Sequence, residues 1–215
     1  MANGAKVVAV DSTWDANVLA ASEWRHAYVH PYLEEKGFPV NELAGQAANK
    51  QQADAAVSAP EIAYVTGVSH GRNDAFTGAD NFPVFEMENE PGIFRGKIVH
   101  FLACNTADFL GRNLIIPGGA AAFFGYIGEV AWLEDGAGTL ANVFFDCDAE
   151  IDRALADRQT AHAAALRAIA KFDQQIAALT SIGDGHAAAA LERARDMLRS
   201  PCHGAEYGNQ NAKLP

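Results

Sequence analysis

Short apolar runs alternate with amphipathic stretches along the first two-thirds of the chain, the order that builds a parallel β-sheet covered by helices on both faces. Residues 6–10 form a β-branched run and predict a first strand. Capping side chains at 12–15 open a stretch to Lys36 that carries Val18, Leu19, Trp24, Tyr28 and Leu33 at mostly helical spacings, with Pro31 set to kink or divide it before Gly37. Residues 38–43 predict a weaker second strand. Asn49 is placed to cap a helix that Pro60 stops, and residues 62–68 predict a third strand. From 72 to 96 the chain turns to Gly, Pro, Asn and Asp with scattered aromatics, a long excursion with room for a small hairpin. A fourth strand is expected at 97–103, a helix over 107–113, a fifth strand at 120–127 and a helix over 136–148. Leu166, Ile169, Phe172, Ile176 and Leu179 then describe one face of a long helix. Gly183 and Gly185 break it, residues 186–199 predict a last helix, and the tail from Pro201 reads as loosely ordered.

These elements amount to a single α/β domain over residues 1–215, with a mostly parallel sheet. Residues 1–150 form the core, 151–200 are helices packed on it, and 201–215 are a tail. A length of 215 residues is enough for one well-buried core and does not require a second. The net charge of −11 argues against nucleic-acid binding, because no Lys/Arg stripe is present to displace phosphate counterions. No apolar run reaches the roughly 20 residues that cross a bilayer, so no membrane partner is expected. Three cysteines at irregular positions do not make a disulfide framework. A reducing, cytoplasmic setting is the expectation, and nothing in the sequence fixes the oligomeric state.

His70 and Cys104 carry the candidate chemistry. Each lies just past a strand-like run, in IAYVTGVSHG and KIVHFLACNT, at the edge where ligands bind in open α/β sheets. An imidazole beside a thiol can take its proton and leave a thiolate that attacks carbonyl carbon. Alone, a strand-end histidine reads as structural and a strand cysteine as a small hydrophobe. At equivalent positions on neighbouring strands they read as base and nucleophile. The expected helix N-terminus after Cys104 would further favour the thiolate.

The order of these motifs resembles the caspase-like superfamily of cysteine peptidases (clan CD), closest to its CHAT and gingipain-like branches. The resemblance spans about residues 6–150. It rests on the first strand, LEEKGFPVNEL and NKQQADAAV before the third, His-Gly after the third, Ala-Cys after the fourth, and GGAAAFFGYIGEVAW beyond. It implies a three-layer αβα sandwich with strand order about 2-1-3-4-5. It also implies Cys104 as nucleophile, His70 as base and acid, and the backbone N–H groups of Gly71 and Cys104 as the oxyanion hole. The cysteine neighbourhood is not the caspase Q-A-C-x-G pentapeptide, so aspartate specificity is not carried over. Asp11, at the end of the first strand as in relatives that bind Arg or Lys ahead of the cut, is either a pocket residue or a helix cap shared with Ser12. Glu129, Glu134 and Asp135 would add acidity, and Trp132 would wall the pocket.

The remaining candidates have plainer readings. His100 is expected to be a packed histidine and Cys147 a core residue. Cys202-His203 repeats the dyad's letters without strand context or metal-ligand spacing. Gly118, Gly119 and Gly125 lack a phosphate-binding pattern, so no cofactor and no metal is expected. The sequence thus points to a cysteine endopeptidase acting on a protein or peptide substrate. The alternatives are a catalytically silent caspase-like interaction module and a flavodoxin-like small-molecule binder.

Overall fold

A computed structural model describes residues 5–87, 92–130 and 139–215. Its centre is a six-stranded sheet. Strands β1 (Lys6–Asp11), β2 (Val40–Ala44) and β3 (Ile62–Val68) come first. The small strands β4 (Gly71–Arg72), β5 (Ala75–Thr77) and β6 (Pro83–Glu86) follow, and then β7 (Ile98–Leu102), β8 (Ala122–Tyr126) and β9 (Leu198–Arg199). The main sheet runs β2-β1-β3-β7-β8-β9, while β4, β5 and β6 make a separate antiparallel sheet from the turn-rich excursion. The first five strands of the main sheet are parallel, and β9 pairs antiparallel with β8.

The alternation along each strand divides the core between the two faces of the sheet. On β7, Ile98 and Leu102 belong to one apolar cluster, and Val99 and Phe101 belong to the other. The first cluster is closed by α1 (Ala16–Tyr28), α2 (His30–Glu35), α5 (Thr139–Asp148), α6 (Glu150–Ala156), α7 (Ala161–Ser181) and α8 (Gly185–Met197). The second is closed by α3 (Lys50–Val57), α4 (Leu110–Ile115) and the β5–β6 hairpin, whose Phe76 and Phe85 stack on Phe101 at 4.3 and 5.7 Å. The architecture is α/β and compatible with a three-layer sandwich.

Local signals explain most boundaries. Asp15 caps α1 by accepting from the N–H groups of Asn17 and Val18, and Asn49 caps α3 through Gln52. Pro31 sits in the first turn of α2, where its missing N–H costs nothing, so the long helical stretch divides just ahead of it.

Three expectations are corrected. The buried face of α7 is made by Ala161, Ala164, Ala165, Ala168 and Phe172, whereas Leu166 is exposed. Small side chains let α7 lie close to its neighbours, so volume and not hydropathy selects the face. The last predicted helix ends at Met197, and the chain turns into the edge strand β9. The tail is also packed. Tyr207 and Leu214 are buried, and the Ala212 and Gln210 carbonyls accept from the Ala161 and His162 N–H groups at 2.7 and 3.0 Å. Those are orphan donors of the first turn of α7, which gives the tail a fixed place.

Candidate active site

The register of the sheet sets the two candidate residues side by side. Val68 pairs with Leu102, and His70 and Cys104 each follow two residues later, at the carboxyl ends of β3 and β7. Both line a cavity of about 370 Å³, together with Asn17 and Val18 of α1, Gly71, Glu129 and Val130.

Asp15 orients His70. Its Oδ2 lies 2.5 Å from His70 Nε2, while its Oδ1 accepts from Asn17 and Val18. A carboxylate at that distance makes Nε2 the protonated nitrogen and leaves the Nδ1 lone pair as the basic site. Burial works against the Asp15 carboxylate. The helix N–H groups and His70 outweigh it and hold its pKa below the usual value. On the other side, Thr77 donates to the His70 carbonyl from both its N–H, at 3.1 Å, and its hydroxyl, at 2.9 Å. Because the Thr77 N–H bonds the His70 carbonyl and Gly71 stands opposite Phe76, Gly71 falls at a non-hydrogen-bonded position of the β4–β5 ladder and its N–H turns away from β5. A side chain at Gly71 would bring its Cβ to 2.2 Å from the Cys104 carbonyl oxygen, so only glycine allows this approach.

Cys104 does not begin a helix. Residues 104–109 are turns, and α4 starts at Leu110, which corrects the expected helix over 107–113 and removes the dipole that was to favour the thiolate. The turn is held by Asn105, in the left-handed conformation at φ 60°, whose N–H reaches the Gly128 carbonyl at 3.0 Å. Cys104 Sγ accepts from the Val130 N–H at 3.3 Å and donates to its carbonyl at 3.7 Å, and no hydrogen bond joins it to His70. Burial pushes the Cys104 thiol up. The Val130 N–H opposes this and the Glu129 carboxylate adds to it.

Asp11 does not line the cavity. It is fully buried, with Oδ1 3.1 Å from Arg25 Nε and 3.0 Å from the Val68 N–H, and Oδ2 2.8 Å from His30 Nε2. Sealed from solvent and paired with Arg25, it cannot meet a substrate cation, and the capping role falls to Asp15. Its pKa is lowered because Arg25 and His30 overcome the cost of burial. Glu129 lines the cavity and is exposed. Trp132, Glu134 and Asp135 lie outside the described residues.

Arg25 heads a buried polar network through the core. Its Nη1 is 3.3 Å from Asp152 and its Nη2 donates to Thr66 at 2.7 Å. His100 lies 3.2 Å from both Asp148 and Asp152, which also accept from Tyr126 and Tyr64. Burial disfavours the His100 charge, but the two carboxylates prevail and its pKa rises to about 9. Cys202 lies 3.1 Å from His162 Nδ1, whereas His203 turns to Ser200. Neither Cys202 nor His162 lines the cavity. Cys147 is buried in the core, and burial pushes its thiol up to about 12.

Sequence reasoning missed two contributors, Asp15 as the partner of His70 and Val130 as the partner of Cys104. A capping aspartate just beyond the first strand, at the same sheet edge as His70, is the signal that would have found the former. Among the described residues, no helix is long and apolar enough to cross a membrane. No family model matches the chain, and no curated protein matches it, so the chemistry of the site rests on the residues themselves.

Proposed function

We propose that this protein is a cysteine endopeptidase of the caspase-like superfamily. The observation that carries the reading is that His70 and Cys104 occupy equivalent positions on adjacent parallel strands, in one cavity, with His70 oriented by Asp15. Nδ1 of His70 takes the Cys104 proton once the thiol rotates away from Val130. The thiolate then attacks the substrate carbonyl carbon. The N–H groups of Gly71 and Cys104 receive the oxyanion of the tetrahedral intermediate. His70 returns the proton to the leaving amine, and a water molecule deprotonated by His70 cleaves the thioester. Glu129 supplies a preference for a basic side chain ahead of the cut, a role in which Asp11 takes no part.

One observation favours a second reading. Cys104 Sγ is engaged by the N–H and carbonyl of Val130 and not by His70, as expected of a silent module that binds a partner through this edge. A peptide-library cleavage screen of wild type, Cys104→Ala and Cys202→Ala separates the two. The peptidase reading expects cleavage by wild type and Cys202→Ala and none by Cys104→Ala. Cleavage unaffected by Cys104→Ala, or absent from wild type, refutes it.

A further inference from the structure

A second constellation lies at the sheet's edge, built from residues that the peptidase chemistry does not use. His26 stands in the last turn of α1, His30 opens α2, and Glu42 is the central residue of the edge strand β2. Val29 between the helices keeps a helical conformation, so His26 and His30 are four apart on one face, with ring centroids 5.8 Å apart. Glu42 reaches both. Its Oε2 is 2.9 Å from His26 Nδ1, and its Oε1 is 3.8 Å from His30 Nδ1.

The buried His30 ring has a carboxylate near each of its nitrogens. His30 Nε2 lies 2.8 Å from Asp11 Oδ2, an ion-pair distance at which the two buried atoms do not align as a hydrogen bond. Its Nδ1 is on the side of Glu42, where it can offer a lone pair to a cation. An imidazole whose far nitrogen meets a buried carboxylate is the usual arrangement of a metal-ligating histidine. The donor atoms of His26, His30 and Glu42 all lie within 4.8 Å of one another. Donors about 2.0–2.1 Å from a tetrahedral zinc ion stand roughly 3.3 Å apart, so small rotations of the two outer side chains would suffice. Those side chains have room, at 68% exposure for His26 and 27% for Glu42, while His30 is 7% exposed and fixed. The net charge of −11 adds attraction for a cation.

We propose that His26, His30 and Glu42 form a binding site for a divalent transition-metal ion of the zinc class, which pins edge strand β2 to the junction of α1 and α2. Two imidazoles and one carboxylate suit Zn²⁺ better than Mg²⁺ or Ca²⁺, which take oxygen ligands. A fourth position is left to solvent. The other His-carboxylate group, His100 with Asp148 and Asp152, makes no such site. It is sealed in the core, where Arg25, Tyr64 and Thr66 bond Asp152 and Tyr126 bonds Asp148.

The test is titration of the chelator-treated full chain with Zn²⁺, followed by calorimetry, and with Co²⁺, followed by its visible spectrum. Wild type, His26→Ala, Glu42→Gln and Cys202→Ser are compared, the last because the Cys202–His162 pair is a competing thiol site. One Zn²⁺ per chain is expected, at least about tenfold weaker in His26→Ala and in Glu42→Gln and unchanged in Cys202→Ser. The Co²⁺ form should lack a thiolate-to-metal charge-transfer band. His26 is on the surface, so its variant should fold, and at the same concentration Zn²⁺ should raise the melting temperature of wild type more than that of His26→Ala. No saturable binding, undiminished binding by either His26→Ala or Glu42→Gln, or loss of binding in Cys202→Ser overturns the proposal. None of these outcomes depends on peptidase activity.

Discussion

Raising the pH should weaken the fold through one residue, His100. Its imidazole is buried between Asp148 and Asp152, and its pKa stands near 9 against an unfolded value of 6.5. A folded pKa above the unfolded one means that the native state holds the proton longer. The stabilisation is therefore complete below about pH 6.5 and is lost as pH rises through about 9. At 1.36 kcal/mol per unit the whole effect is about 3 kcal/mol, and about 2 kcal/mol of it disappears between pH 6 and 8. Against a typical stability of about 5–15 kcal/mol this is large, equivalent to roughly 1 M in a urea midpoint. Urea unfolding of wild type and His100→Gln at several pH values below about 8 is the assay. That ceiling matters because burial also raises the thiols of Cys104, Cys147 and Cys202, so their ionisation in the unfolded chain destabilises at higher pH. The wild-type slope should exceed the variant's by about 1 kcal/mol per pH unit. Should His100→Gln fail to fold, the His100 ring resonance in wild type should stay largely unshifted up to about pH 8. Equal slopes, or a ring midpoint near 6.5, refute the reasoning.

Further outcomes follow from the same geometry. Asp15→Asn keeps a good helix cap, so its stability should fall by less than about 1 kcal/mol, while peptidase kcat should fall by about 10²–10⁴ because His70 loses its orienting carboxylate. Denaturation curves and peptide turnover check the two halves, and unchanged kcat rejects the role. Thiol labelling under native conditions should leave Cys147 unmodified until the chain unfolds, as mass mapping would show, whereas label on Cys147 in the folded protein would contradict its burial. Deleting residues 201–215 strips Tyr207 and Leu214 from the core and leaves the Ala161 and His162 N–H groups of α7 without their acceptors, although Thr160 still caps the helix. It should cost at least about 3 kcal/mol by urea denaturation, and a loss below about 1 kcal/mol would mean the tail is not packed.

The sequence made the sheet legible because parallel strands buried on both faces are written as continuous apolar runs, and residues 62–68 match β3 residue for residue. Strand β9 was hidden because it is two residues long and pairs with a strand more than seventy positions earlier. The buried face of α7 was hidden because alanine carries little hydrophobic signal even where its small size decides the packing. At the site, His70 and Cys104 were visible from their strand ends. The fate of Asp11 was not, since Arg25 and His30 reach it only after α1 and α2 dock on the sheet. Asp15 was read as a cap, and it is one, but a carboxylate has two oxygens and the second faces His70.

The central claim is that Cys104 is a nucleophile activated by His70. Its most direct test is mass mapping of the intact protein after treatment with a peptide acyloxymethyl ketone bearing Lys or Arg next to the warhead. The account predicts a single covalent adduct on Cys104, formed much faster than on Cys202 and abolished in His70→Ala. Equal labelling of Cys104 and Cys202, or undiminished labelling in His70→Ala, would contradict it.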